Sequence, residues 1–305
     1  FLENADRYCV LADNQIFIAF FFYKNWAADH AKYIRKASDI GFDILEFQAQ
    51  PLLEMDKEKL LSLKKLADEC GIELTYSLGL DPAYDVSSAD ENVRRGGVDY
   101  LQRIVEKIGI MDGKLLSGVS YAGWGSPNYI VNDKTAIIER SKKSMRDIVK
   151  TAENYGVTYC VEAVNRFEGC VINTAQEALD YVKDIDSPNI GVLLDTYHMN
   201  IEECSIGDAI RLVGDKLTSF HTGENNRMAP GRGHLDWDEI FGALADIHYT
   251  GRIVSEPFVM MGGEVGRDIK VWRNLVDDTT ESGIDAEATF LLNFTKNMLN
   301  KHMGK

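Results

Sequence analysis

The stretch KLTSFHTGENNRMAPGRGHLDWDEI, residues 216–240, contains in miniature the unit from which the chain is built. KLTSF is a short apolar run that reads as a buried strand. The segment HTGENNRMAPGRGHLDW (221–237) then gathers histidines, arginines, a glutamate, two asparagines and several Gly and Pro, with no apolar period. That is loop chemistry. Asp236 follows where an N-cap belongs, at the head of an amphipathic stretch that runs to Ile247. Strand, polar loop and helix make one βα unit, and His221 stands where the strand ends and a ligand could be faced.

Outward from this stretch, the unit recurs eight times. The runs that read as strands are IFIAFFF (16–22), FDILEF (42–47), IELTYSL (72–78), KLLSGV (114–119), VTYCVEA (157–163), IGVLLD (190–195), KLTSFH (216–221) and RIVSEPF (252–258). Helical stretches lie between them at 30–40, 57–70, 91–108, 133–155, 175–185, 205–213 and 236–247, with a last helix at about 285–301. Asp90, Asn173 and Asp236 sit as N-caps, and Gly41, Gly71, Gly109 and Gly156 sit just past helix ends. Such alternation predicts an α/β fold, a single closed (β/α)8 TIM barrel spanning 1–305. Residues 1–14 would be an N-terminal extension and 258–283 a long loop after strand eight. No G-x-G-x-x-G follows the first strand, against a dinucleotide fold.

With 33 basic and 48 acidic side chains the net charge is -15, which repels polyanions and argues against a nucleic-acid partner. Cys9, Cys70, Cys160, Cys170 and Cys204 form no C-x-x-C pair, as expected of a reduced, cytoplasmic protein. The longest apolar run, Ile16 to Tyr23, is too short to cross a bilayer, so no membrane partner is expected.

In a barrel the active site lies at the C-terminal ends of the strands. Strands five to eight end in CVEAVN, LLDTYH, SFHTG and SEPF, placing Glu162, Asp195, His221 and Glu256 on one side of the mouth. One acidic residue at a strand end is ordinarily a helix cap or a solvated loop residue. Four successive strand ends with three carboxylates and an imidazole need a divalent cation to offset their burial. The donor set suits Mn²⁺, Co²⁺ or Mg²⁺; Zn²⁺ would more usually recruit further His or Cys.

The segments VEAVNRFE (161–168), LLDTYHMN (193–200), HTGENNRMAPGRGHLDW (221–237) and SEPF (255–258) resemble the ketose 3-epimerases of the D-tagatose/D-psicose (D-allulose) type, in the xylose-isomerase-like barrel superfamily. By that resemblance Glu162, Asp195, His221 and Glu256 hold Mn²⁺ or Co²⁺, the substrate is a small-molecule ketose, and the assembly is a homodimer or homotetramer. Glu162 and Glu256 would be the two acid/bases that move a proton at C3, one on each face of the sugar. Glu168, His198 and Arg227 would bind sugar oxygens, and Trp124 would stack beside the substrate. Phe17 stands where the family has a tyrosine, and Trp26 is expected at the barrel's edge. Gly231, Arg232 and Gly233 read as a structural turn.

The metal cage alone leaves open an aldose–ketose isomerase working between C1 and C2. A barrel that only binds metal or sugar has no need of a base on each face. The superfamily's apurinic-site endonucleases need many histidines for their zinc; of six here, only His198, His221 and His234 fall near the mouth.

Overall fold

The computed structural model describes residues 16–19, 22, 24–125 and 133–304, the first four as backbone. In chain order these are β1 (Ile16–Ala19), α1 (His30–Ile40), β2 (Ile44–Gln48), α2 (Lys57–Cys70), β3 (Glu73–Ser77), α3 (Glu91–Ile110), β4 (Leu115–Ser117), α4 (Thr135–Tyr155) and β5 (Thr158–Ala163). There follow α5 (Ala175–Ile185), β6 (Ile190–Asp195), α6 (Thr196–Glu202), α7 (Ile206–Val213), β7 (Leu217–Thr222), α8 (Trp237–Asp246), β8 (Arg252–Ser255), α9 (Gly263–Asp268) and α10 (Glu281–Met303). The strands form a closed barrel in sequence order, every neighbouring pair parallel. Closure runs through β1, where Phe17 pairs with Ile44 on one side and Val254 on the other. The expected extension at 1–14 lies outside the described residues.

Strand alternation decides what enters the barrel. Residues two apart share a face, so Cys160 lies below Glu162, Leu193 below Asp195 and Leu115 below Ser117. Leu115, Cys160 and Leu193 form a buried apolar cluster of their own, a floor beneath the polar layer. The other strand face packs on the helices, with Leu101, Ile104 and Val105 of α3 and Met145, Ile148 and Val149 of α4 in the main core.

Helix punctuation follows the sequence at most ends. Asp90 and Asp236 cap α3 and α8 through their side chains, and Gly41, Gly71 and Gly156 close α1, α2 and α4 in the left-handed conformation. Two expectations fail. Asn173 is not the cap of α5: Thr174 is, in a capping box with Glu177, while Asn173 uses its amide to tie the preceding loop at Val164 and Gly169. Gly109 lies inside α3, whose cap is Met111. Its reason is space, because a Cβ there would come 2.6 Å from Tyr155 of the neighbouring α4. The strands β3, β4 and β8 stop earlier than their apolar runs, β8 at Ser255, where the chain turns into the mouth loops. Two short helices were not foreseen: α6 directly after β6, and α9 within the segment 258–283.

Gly109→Ala should therefore lower the thermal unfolding midpoint, although alanine is the better helix former by about 1 kcal/mol. The overpacking cost against Tyr155 is about 1–3 kcal/mol. A raised midpoint in a thermal melt would show that α3 and α4 are not in this contact.

Candidate metal centre and substrate pocket

Glu162, Asp195, His221 and Glu256 leave the ends of β5, β6, β7 and β8, and one ligand atom from each lies within 4.8 Å of all the others. All four are buried, Asp195 and His221 almost completely. The cluster fits a divalent cation on two grounds. Three carboxylates converge where water cannot solvate them, and both ring nitrogens of His221 are buried without a protein hydrogen-bond partner.

The field in this cluster is uneven. Burial, then the charges of Glu256 and Asp195, push the Glu162 carboxyl well above its ordinary range. Burial would raise Asp195 too, but Arg227, His198 and His221 outweigh it and hold it down at about 2. Burial alone would lower His221, yet Glu46, Glu256 and Glu162 overcome it and raise the imidazole to about 10. Asp195 has a second use, since it caps α6 by accepting the Tyr197 N–H at 2.8 Å. The short helix thus points its N-terminus at the site, where it favours negative charge.

Arg227 is the cation already present. Its Nη1 donates to Asp195 Oδ2 at 2.7 Å and Glu256 Oε2 at 3.2 Å, and its guanidinium lies over the rings of Tyr197 and Phe258. Its backbone is left-handed, with φ of 64°, unusual for a non-glycine residue. A tight turn imposes this: Arg227 N–H donates to Glu224 O, Glu224 N–H to Met228 O, and Phe258 N–H to Arg227 O. Local strain of about 1–3 kcal/mol is held by these bonds.

The segment Gly231–Trp237 is folded around the buried Glu224. Its carboxylate accepts the indole N–H of Trp237 at 2.7 Å and the backbone N–H groups of Gly231 and Leu235. From the sequence Glu224 receives no role, although it is the one glutamate in the stretch 221–237. Gly231 has φ of 85°, as a tight turn requires. Arg232 faces outward, paired with Glu287. The structural reading of this turn therefore holds, with Glu224 as its anchor.

His198 stands between the cluster and the loop after β5. The backbone N–H and side-chain amide of Asn165 both reach its Nδ1, at 3.2 and 2.7 Å. Arg227 Nη2 lies 3.2 Å from the other ring nitrogen, Nε2, so donors face both sides of the ring, and Nε2 is also 3.5 Å from Glu162 Oε1. Burial, then the charge of Arg227, lowers this histidine and keeps it neutral. Asn165 also donates to Glu168 Oε1, and the indole N–H of Trp124 donates to Glu168 Oε2 at 3.2 Å. The Trp124 ring packs flat against Gly79, where a Cβ would come within 2.7 Å of it.

Glu162, Glu256, Glu168, His198, Arg227 and Trp124 line one cavity at the mouth. Trp26 and Ile269 line it as well, so Trp26 forms part of the pocket wall rather than only the barrel's edge. Its indole N–H donates to Asp268 at 2.9 Å and its backbone N–H to Glu264, which clasps the loop after β1 to α9. Phe17 is placed in β1, but its side chain lies outside the described residues. A further carboxylate the sequence reading passed over, Glu46 of β2, is wholly buried beside His221. Its signal was visible as an acid inside the apolar run FDILEF.

The family model of the xylose isomerase-like TIM barrel matches residues 34–275. A protein named D-psicose 3-epimerase from Ruminiclostridium cellulolyticum is 44% identical over 279 residues, covering 92% of this chain and 95% of that one. Another of that name, from Agrobacterium fabrum, is 39% identical over 90% of this chain and 95% of its own length. The crystal structure of D-psicose 3-epimerase with D-tagatose from Clostridium cellulolyticum superposes with a TM-score of 0.91 at 43% identity, over 93% of this chain and 99% of that chain. The chain is thus an isomerase of the xylose isomerase-like TIM-barrel superfamily and belongs to its ketose 3-epimerase family, of the D-psicose 3-epimerase type.

Proposed function

We propose that this enzyme inverts C3 of a free ketose, of the D-psicose/D-fructose or D-tagatose/D-sorbose type. The observation that carries this reading is the pair of buried carboxylates Glu162 and Glu256, which come from separate strand ends, line one cavity and cluster with Asp195 and His221. Glu162, Asp195, His221 and Glu256 would hold one divalent cation, Mn²⁺ or Co²⁺ with Mg²⁺ also suited, which when bound supplies a Lewis acid that polarises the C2 carbonyl.

The chain's own groups do the rest. One glutamate takes the proton from C3, leaving an enediolate across C2 and C3, and the other returns a proton to the opposite face. Which acts first depends on the configuration of the sugar. The neutral His198 hydrogen-bonds a sugar oxygen, Arg227 donates to another, and Glu168 accepts from a hydroxyl. Trp124 offers its indole face to the apolar side of the ring. Among the described residues lining the cavity Arg227 is the one basic side chain besides the histidine, and it is engaged by Asp195 and Glu256. That supports an unphosphorylated substrate. The large apolar side chains exposed at Phe167 and Trp272 support an assembly of more than one copy, a homodimer or homotetramer.

Incubated with D-fructose, D-psicose or D-tagatose and Mn²⁺ in D₂O, the protein should incorporate deuterium at C3, followed by NMR. Exchange confined to C1 would mark an aldose–ketose isomerase and overturn the proposal. Glu256→Gln should retain part of its metal affinity but lose about 10²- to 10⁴-fold in turnover; near-native activity would remove Glu256 from proton transfer. With no cation between them, His221, raised to about 10, holds a proton at neutral pH, and Glu162 is shifted in the same direction. Ligation needs them deprotonated, so Mn²⁺ uptake should release protons and tighten as pH rises toward about 10. Calorimetry in buffers of different ionisation enthalpy reads this directly; a binding enthalpy independent of buffer would contradict it.

A further inference from the structure

We infer that Glu46 is the positioning residue of the metal centre: it holds the His221 imidazole through Nε2–H, so that Nδ1 is presented to Glu162, Asp195 and Glu256. This rests on the reading of those residues as a metal site. Glu46 belongs to β2, across the barrel from the cluster strands in sequence, and it is not among the four groups whose ligand atoms converge. Its side chain is nevertheless wholly buried within the barrel.

The partners of Glu46 divide between its two oxygens. Oε2 accepts from the hydroxyls of Thr75 on β3, at 3.3 Å, and Ser117 on β4, at 3.2 Å. Those hydroxyls fix the plane of the carboxylate. Oε1 has no hydrogen-bond partner among the described residues, and it lies 3.4 Å from His221 Nε2. The other ring nitrogen, Nδ1, faces Glu256 Oε2 at 3.7 Å. The two ring nitrogens therefore face different carboxylates, Glu46 at Nε2 and Glu256 of the cluster at Nδ1.

An unbonded carboxylate oxygen and an unbonded ring nitrogen, both buried, are each other's available partners. A small rotation of the imidazole makes Nε2–H···Oε1 a charge-assisted hydrogen bond. That bond selects the tautomer with its lone pair on Nδ1, which is the form a cation needs. Glu46 would act on the metal only through His221, and Thr75 and Ser117 would act only through Glu46.

The test compares wild type with Glu46→Gln and Thr75→Val. Mn²⁺ and Co²⁺ affinities are measured by calorimetry, and the visible absorption of the Co²⁺-loaded protein reports ligand geometry. Glu46→Gln should weaken metal binding about 10- to 100-fold and perturb the Co²⁺ spectrum. Thr75→Val, nearly isosteric, should weaken it less and in the same direction, which keeps the idea testable should the first variant fold poorly. Affinity and spectrum unchanged in Glu46→Gln, or unchanged in Thr75→Val if that alone folds, would overturn the inference while leaving the metal site standing. Wild-type protein that binds neither ion would overturn the reading of the cluster as a metal centre, and this inference with it.

Discussion

Burial of negative charge at the mouth of the barrel is the constraint on which the rest of the structure depends. Glu46, Glu162, Asp195 and Glu256 are all shielded from water, with His221 and Arg227 as the nearby compensating groups. An uncompensated buried carboxylate costs several kcal/mol even after relaxation. The molecule meets this in three ways: Glu162 is shifted toward its protonated form, His221 holds a proton, and Arg227 is bent into a left-handed turn so that its guanidinium reaches two carboxylates at once. A divalent cation would take over this compensation. The electrostatics that make the site costly thus also make it receptive to a metal.

That constraint explains why so much of the centre was legible in the sequence. Strands in a parallel barrel are apolar on both faces, so a carboxylate or histidine at a strand end stands out against its run. Glu162, Asp195, His221 and Glu256 each do so, and the structure brings all four together. The same contrast marks Glu46 inside FDILEF, but the acid sits within the run and on β2, away from the four successive strand ends. Only the closed barrel, in which side chains of β2 and β7 meet inside the ring of strands, brings it to His221. Proximity across a barrel has no linear signature.

Other misses have equally local causes. Gly109 was read as a helix end because glycine commonly occupies that place, yet here it makes room for Tyr155 on the next helix, a tertiary demand invisible along one helix. Asn173 and Thr174 are both good caps, and only the reach of Glu177 back to the cap backbone selects Thr174. Glu224 looked like one more polar residue in a loop, because its three donors arrive from positions seven to thirteen residues later.

The division of labour between strands and loops follows from these contacts. The groups that converge as candidate metal ligands are fixed by ladder bonds in β5 to β7 and, for Glu256, by a backbone bond from its N–H to Thr222 O just beyond β8. The walls that would meet the rest of a substrate come from loops: Trp26 clasped to α9, Trp124 seated on Gly79, Ile269 beyond α9. Loop residues can be exchanged without disturbing the ladder, whereas Glu46, Thr75 and Ser117 form a buried polar layer from three further strands beside His221. Substitution in the clasp should therefore shift which sugar is accepted, while substitution in the buried polar layer should alter the metal site whatever the sugar. The barrel separates the two because its interior is close-packed and its mouth is not.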